Sequence, residues 1–181
     1  MQFPLNSKLE KVISKDSSRP ALAAAYLRIE SDGSAFLEAT TSYVLATIPV
    51  TIDETDVAGF VPAEALAAAR KAKQGELACN GSVTAPRGDS YPRYDGQFPD
   101  SSRLYPEAPP TFTVGINARF LYDIAQALGS DIVVLRFQGD AAGANPLKAI
   151  IVEPANGTGV SGARGLAMPV RVDGERSEVG R

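Results

Sequence analysis

The chain has 181 residues, 44% of them hydrophobic and 22% charged, with a formal net charge of -3. That length can bury a core in one large or two small domains, while the slight acidity excludes a polybasic tail or an overall cationic protein. Any nucleic-acid contact therefore needs basic side chains gathered on one face.

Histidine is absent and Cys79 is the only cysteine. This removes the commonest general base, an internal disulfide and any Cys/His metal cluster. No apolar run approaches about 18 residues, and no basic-then-apolar leader opens the chain, so a soluble cytoplasmic protein without a membrane partner is expected.

In chain order, a short stretch from Gln2 to Leu5 leads into a predicted helix with Asn6 or Ser7 as N-cap. Leu9, Val12 and Ile13 fall on its core face, and Lys8, Lys11 and Lys15 form a separate basic stripe. A solvated helix face accounts for one such stripe on its own. Three strands follow, Tyr26 to Glu30, Ala35 to Ala39 across an Asp32-Gly33 turn, and Tyr43 to Val50.

The pattern then repeats. Ala58 to Val61 reads as a strand, Pro62 stands at a first helical position, and Ala63 to Lys73 reads as an alanine-rich helix ended by Gly75. Arg70, Lys71 and Lys73 crowd its last turn, where the helix dipole alone favours them. Glu76 to Cys79 and Ser82 to Ala85 are short strands about Asn80-Gly81, and Pro86 to Pro110 is an irregular strand and connector. Asn80-Gly81-Ser82 and Asn156-Gly157-Thr158 fit a glycosylation pattern but read as turns, and Arg87-Gly88-Asp89 as a chance tripeptide.

A third copy opens with Thr111 to Ile116. Asn117 caps a helix that puts Phe120, Leu121, Ile124 and Leu128 on its core face and Arg119, Asp123 and Gln126 opposite. Strands Ile132 to Phe137, Leu147 to Glu153 and Leu166 to Val172 complete it, and Asp173 to Arg181 is a patternless tail. The helices start at intervals of about fifty-five residues, the mark of an internal repeat. Gly157-x-Gly159-x-x-Gly162 matches a dinucleotide pattern, but it joins two strands with no helix after it. Asp53, Glu54 and Asp56 cluster in a loop, as solubility alone would explain. No catalytic constellation stands out, and a non-enzyme is expected.

Several short motifs, in order, resemble the bacterial sliding clamp family, the beta subunit of polymerase III. Glu38 to Ala46 stands where that family has Ala-Thr-Asp-Gly-x-Arg-Leu-Ala, with Thr41, Ser42 and Val44 replacing its Asp, Gly and Arg. Phe60-Val61-Pro62-Ala63 resembles the start of its second helix, Gln97 to Pro106 its Phe-Pro-Asp-Tyr connector with Ser101 for the Tyr, and Gly165 to Val172 its Met-Pro-x-Arg ending. The likeness is to a shortened version, of cellular or viral source.

It implies an α+β DNA-clamp fold with three strand-helix-three-strand units: a complete clamp-like domain over 1–106, a half domain over 107–172 and a flexible tail over 173–181. The function implied is a processivity factor that encircles duplex DNA and tethers a replicative polymerase and clamp-loader-like proteins through linear peptides, with no cofactor. It would work in the cytoplasm of a bacterial cell, or of an infected host cell for a viral version.

Carried over by position, the peptide pocket would comprise Thr40, Ser42, Tyr43, Val44, Leu45, Pro99, Arg103, Leu104, Ala167, Met168, Pro169, Val170 and Arg171. Ordinary strand core is the plain alternative for Met168 and Val170. The DNA-facing set would be Lys8, Lys11, Lys15, Arg70, Lys71, Lys73 and Arg119. Rings of this family hold twelve helices, so three per chain imply a head-to-tail homotetramer with fourfold symmetry. The alternatives are a clamp-like interaction module or decoy that binds clamp-motif peptides without encircling DNA, and a plain α+β domain.

Overall fold

The computed structural model describes residues 1–16, 18–101, 104–106, 108–110, 112–140, 143–144 and 148–170. The chain divides into two compact units, Met1–Leu104 and Tyr105–Arg181.

Unit 1 is built on a four-stranded antiparallel sheet of order β3-β2-β1-β4, with β1 Ala24–Ile29, β2 Ala35–Thr40, β3 Leu45–Val50 and β4 Gly59–Pro62. The Asp32-Gly33 turn sets the β1–β2 register, pairing Ile29 with Ala35 and Tyr26 with Glu38. Alternation along β1 feeds two cores. Ala25 and Leu27 enter the main one, while Ala24 and Tyr26 join Phe60 and Phe98 on the other face.

β4 runs directly into helix α1, Ala63–Lys71, whose Ala65, Leu66 and Ala69 are buried. Pro62 is the N-cap, one position before the first helical residue. The three short strands β5 Ala78–Cys79, β6 Val83–Thr84 and β7 Ser90–Tyr91 close the unit.

The first predicted helix is a single 3-10 turn, Leu9–Val12. An isolated helix of nine or so residues is marginal, and here a competing contact wins. Ile13 turns extended, and the Ser14 amide donates to the Leu22 carbonyl at 2.8 Å. Leu9 and Ile13 still reach the core, so the apolar spacing served packing without an α-helix. A second 3-10 turn, Pro20–Leu22, leads into β1. Residues 1–3 lie against the unit, with Gln2 bridging both Thr51 and Glu76. The Met1 ammonium is buried on Asp56 Oδ2 at 2.5 Å and the Leu77 carbonyl at 2.7 Å.

Unit 2 holds helix α2, Ala118–Ala127, over a three-stranded sheet of order β12-β11-β8, with β8 Val133–Arg136, β11 Ile150–Pro154 and β12 Gly165–Ala167. A small hairpin, β9 Gly139–Asp140 and β10 Gly143–Ala144, lies between β8 and β11. Asn117 caps α2 through its side chain, which accepts from the Arg119 amide at 2.9 Å. Gly165 is required by packing, because a Cβ there would stand 2.7 Å from Ile124 Cγ2 of α2.

Three expectations differ from the structure here. Among the described residues the stretch 112–116 is no strand of the sheet: it is tied by the Gly115–Val170 bridge, with Val114 and Ile116 packed against the core. The last strand stops at Ala167, so Met168 and Pro169 lie outside it. Phe120, expected in the core, is 56% exposed. The predicted tail, 173–181, lies outside the described residues.

Candidate functional site

Basic side chains come first. In unit 1 the Leu9–Val12 turn packs against α1, and Arg70 forms an ion pair with Glu10 across that contact. Burial pushes the Glu10 carboxyl up, but the Arg70 hydrogen bond and charge more than offset it and leave it below its ordinary value. Arg70 is therefore a structural tie, and its charge is largely cancelled locally.

Lys8, Lys11, Lys15, Lys71 and Lys73 are exposed and form no ion pair among the described residues. The first three do not share a helix face, since Lys8 precedes the 3-10 turn, Lys11 is inside it and Lys15 follows it. Lys73 adopts φ 57° just beyond α1, where its amide donates to the Arg70 carbonyl at 2.9 Å and turns the chain out of the helix. In unit 2, Arg119 pairs with Asp123 at 3.0 Å and lies over the Tyr122 ring at 5.6 Å, so it too is partly neutralised.

One basic residue escaped the sequence reading. The bend after β6 carries Arg87 to an open cleft of about 220 Å³ that it lines together with Lys71, Asp89 and Tyr91. The Ala85 amide donating to the Asp89 carbonyl at 2.8 Å closes that bend. Nothing local in Arg87-Gly88-Asp89 announces this, because the placement comes from β7 packing beside α1.

The predicted peptide-contact residues of unit 1 occupy the β2–β3 turn and the connector. Thr40 is buried and its hydroxyl donates to the Val44 carbonyl at 2.7 Å while accepting from the Ser42 amide at 3.0 Å. Ser42 sits at φ 74°, a left-handed conformation that costs a residue bearing a Cβ about 1–2 kcal/mol. It is held there by the bond just described, by Arg19 Nη1 at 3.0 Å and by its own hydroxyl on the Thr41 carbonyl. This tight turn thrusts Tyr43 out to 96% exposure, with Val44 also exposed and Leu45 half-buried as β3 begins.

The connector is fastened to the same sheet. Phe98 stacks on Tyr26 with ring centroids 5.2 Å apart, and Ser101 Oγ donates to Glu38 Oε2 at 2.6 Å. Glu38, itself buried, takes Arg28 Nη2 at 3.1 Å and Thr47 Oγ1 at 3.2 Å on its other oxygen. Pro99 and Leu104 remain exposed, and Arg103 lies outside the described residues.

The unit 2 members fall at the end of β12. Ala167 is buried and Pro169 half-buried, whereas Leu166, Met168 and Val170 are 65%, 62% and 48% exposed. The Val170 amide donates to the Gly115 carbonyl at 2.9 Å, which holds this row extended. Met168 and Val170 are thus surface groups, contrary to the strand-core alternative. Arg171 lies outside the described residues.

Elsewhere the chemistry is quiet. Burial and the neighbouring Asp56 charge push the Cys79 thiol up to about 11, which makes it a poor nucleophile. Among the described residues no group of three or more His, Cys, Asp or Glu is placed to hold a metal ion, and no helix is long and apolar enough to cross a membrane. The Gly157 to Gly162 run is a loop leading into β12 rather than a helix. Its Val160 amide donates to the Leu128 carbonyl at 3.0 Å, and a Cβ at Gly159 would fall 2.5 Å from that same oxygen.

No protein-family model and no curated protein matches the chain. Solved structures do. DNA polymerase III subunit beta from Borrelia burgdorferi, in complex with a natural product, aligns at TM-score 0.62 and 15% identity over 91% of this chain and 44% of that one. The C. crescentus beta sliding clamp aligns at 0.58 and 19% over 93% and 62%. The beta subunit from the DNA polymerase of Streptococcus pyogenes aligns at 0.54 and 13% over 91% and 62%. The chain has the sliding-clamp fold, and it spans 44% to 62% of the length of these clamps.

Proposed function

We propose that this chain acts as a DNA clamp, a non-enzymatic processivity factor whose copies close around duplex DNA and tether a polymerase and other replication proteins by short linear peptides. The observation that carries this reading is the sliding-clamp fold over more than nine-tenths of the chain. Four copies, each supplying three motifs, would make the ring, and the work would be done in the cytoplasm.

For DNA contact the reading uses Lys8, Lys11, Lys15, Lys71 and Lys73, with Arg87 added and with Arg70 and Arg119 in minor roles because acidic neighbours hold them. Lysines at these places act as mobile point charges toward phosphates, which favours sequence-independent binding that weakens steeply with salt. For peptide docking the exposed Tyr43 and Val44 of unit 1 and the exposed Leu166, Met168 and Val170 of unit 2 offer apolar anchoring surfaces, Met168 being the most adaptable.

The test is charge reversal. The combined K8E, K11E and K71E variant should lose about tenfold or more in DNA retention, with a salt slope shallower by about 0.9 for each phosphate contact removed, while its assembly state stays that of the unaltered chain. Unchanged retention would remove these lysines from the DNA interface. The rival reading, a clamp-like module or decoy that binds clamp-motif peptides and never encircles DNA, draws on the ion pairing of Arg70 and Arg119 and on the acidic pI of about 5.1. It predicts peptide binding with no retention on DNA at any salt.

A further inference from the structure

Unit 1 contains one motif twice. The first copy is the extended start of the chain, the Leu9–Val12 turn and strands β1 to β3, and the second is β4, α1 and strands β5 to β7. The two halves complete each other reciprocally. β4 of the second lies antiparallel along the edge of β1, from Ala24 opposite Pro62 to Leu27 opposite Gly59, while Gln2 of the first bridges Glu76 just before β5. Together they bury a core of seventeen apolar residues.

Unit 2 contains the same motif once, as the extended stretch 112–116, α2, and strands β8, β11 and β12. Its first stretch is tied by Gly115 to Val170, just beyond its last strand, as Gln2 is tied to Thr51 after β3. Among the described residues no second motif accompanies it. β8 occupies the sheet position of β1, yet among the described residues no strand lies beyond it.

The helices show the same deficit. Counted from their first residues, Phe120, Leu121 and Ile124 of α2 stand where Ala65, Leu66 and Ala69 stand in α1. The α1 residues are at most 1% exposed, whereas Phe120 is 56% exposed and Leu121 and Ile124 are only half-buried. Among the described residues the unit 2 core cluster has four buried members, and Phe112, Ile132 and Phe137 are left exposed around it.

We infer that unit 2 is completed by unit 2 of a second copy of this chain, each laying its 112–116 stretch along β8 of the other and covering Phe120. The occupant follows from unit 1. There the motif is completed by another copy of the same motif, and the exchange is reciprocal, so a twofold axis between identical chains can supply every part of it. Adding a strand to an exposed edge also removes an aggregation-prone feature. The contact is isologous, so a four-chain ring formed through it is a pair of dimers related by twofold axes, in place of the fourfold ring that head-to-tail stacking implies.

The experiment is hydrogen exchange with native mass measurement on the full chain. At concentrations on the order of 10 µM or above, in the range where specific interfaces of standard size are occupied, the chain should form even-numbered assemblies with slow amides in β8 and 112–116. Dilution of the unaltered chain to monomer should speed those amides by about tenfold or more, with β1 and β2 unchanged. Phe120→Glu, tolerated in the monomer because the side chain is exposed, should give the same fast exchange without dilution. A monomer or an odd-numbered assembly at the higher concentration, or β8 amides indifferent to assembly, overturns the inference. DNA retention is read separately. Even-numbered chains that never hold DNA would remove the clamp function and leave this pairing in place.

Discussion

Units 1 and 2 use the same motif with opposite outcomes for burial. Leu66 in α1 and Leu121 in α2 hold the same helical position, but one is sealed and the other half-buried. The difference lies in company. A sheet with one helix over it has too little apolar surface to enclose its own helix face, and burial scales with what a second layer brings. In unit 1 a second motif brings it. Full burial of the α1 face thus goes with a second motif beside it, and the described residues of unit 2 supply none for α2.

The largest test of this contrast is truncation in the two cores. Leu27→Ala in unit 1, at a fully buried site, should cost about 2–5 kcal/mol in urea unfolding. Leu121→Ala, read at concentrations where the chain is monomeric, should cost only about 1–2 kcal/mol because less area leaves water there. Equal costs would break the comparison.

A second test is peculiar to unit 1. Asp56 binds the Met1 ammonium together with the Asp53 and Cys79 amides, at 2.9 and 2.8 Å. Burial alone would raise its carboxyl, but the ammonium and the two amides outweigh burial and hold it below its ordinary 3.8. A depressed folded value means stability that is present above 3.8 and lost as pH falls through that value toward the lower one. Asp56→Asn should cost about 1.5–3 kcal/mol near neutrality and flatten the acid limb of unit 1 unfolding. An acid limb identical in variant and parent would assign it to other carboxylates.

The smallest effect on stability sharpens the functional side. Met168→Asp and Tyr43→Ala alter exposed side chains, so each should change stability by no more than about 0.5 kcal/mol. If the apolar row of unit 2 is the anchor for a partner's Leu or Phe, Met168→Asp should cut binding of a clamp-motif peptide by about tenfold or more, and the Tyr43 change should cut it less. Full binding by a folded Met168→Asp chain would move peptide recognition off unit 2.

Much of the fold was legible because local signals and tertiary packing agree. Asp32-Gly33 between alternating runs yields the β1–β2 hairpin, Asn117 caps α2 as its side chain allows, and the spacing of about fifty-five residues survives in the starts of Leu9–Val12, α1 and α2. The first helix was not legible. Its apolar spacing fits a helix, and only the long-range bond from Ser14 to Leu22 reveals that the chain leaves that path at Ile13.

The candidate sites were legible as residue types and less so as surroundings. Arg70 reads in sequence as one more cation in the last turn of its helix, because Glu10 lies sixty positions away and only folding joins them, whereas Asp123 stands four residues from Arg119 on the same helix face. The helical period puts Phe120 on the core face, but the described residues of unit 2 cover only part of that face, burying Leu128 and leaving Phe120 exposed. Arg87 had no local signal at all, since a turn tripeptide says nothing about which helix it will sit beside.

The most direct measurement of the central claim is retention on DNA of different topology. Chain assembled on nicked circular duplex should stay bound through gel filtration in moderate salt and be released when a single cut linearises the circle, because a ring slides off a free end. Equal retention on circular and linear DNA, or none on either by chain that is fully assembled, would contradict the account.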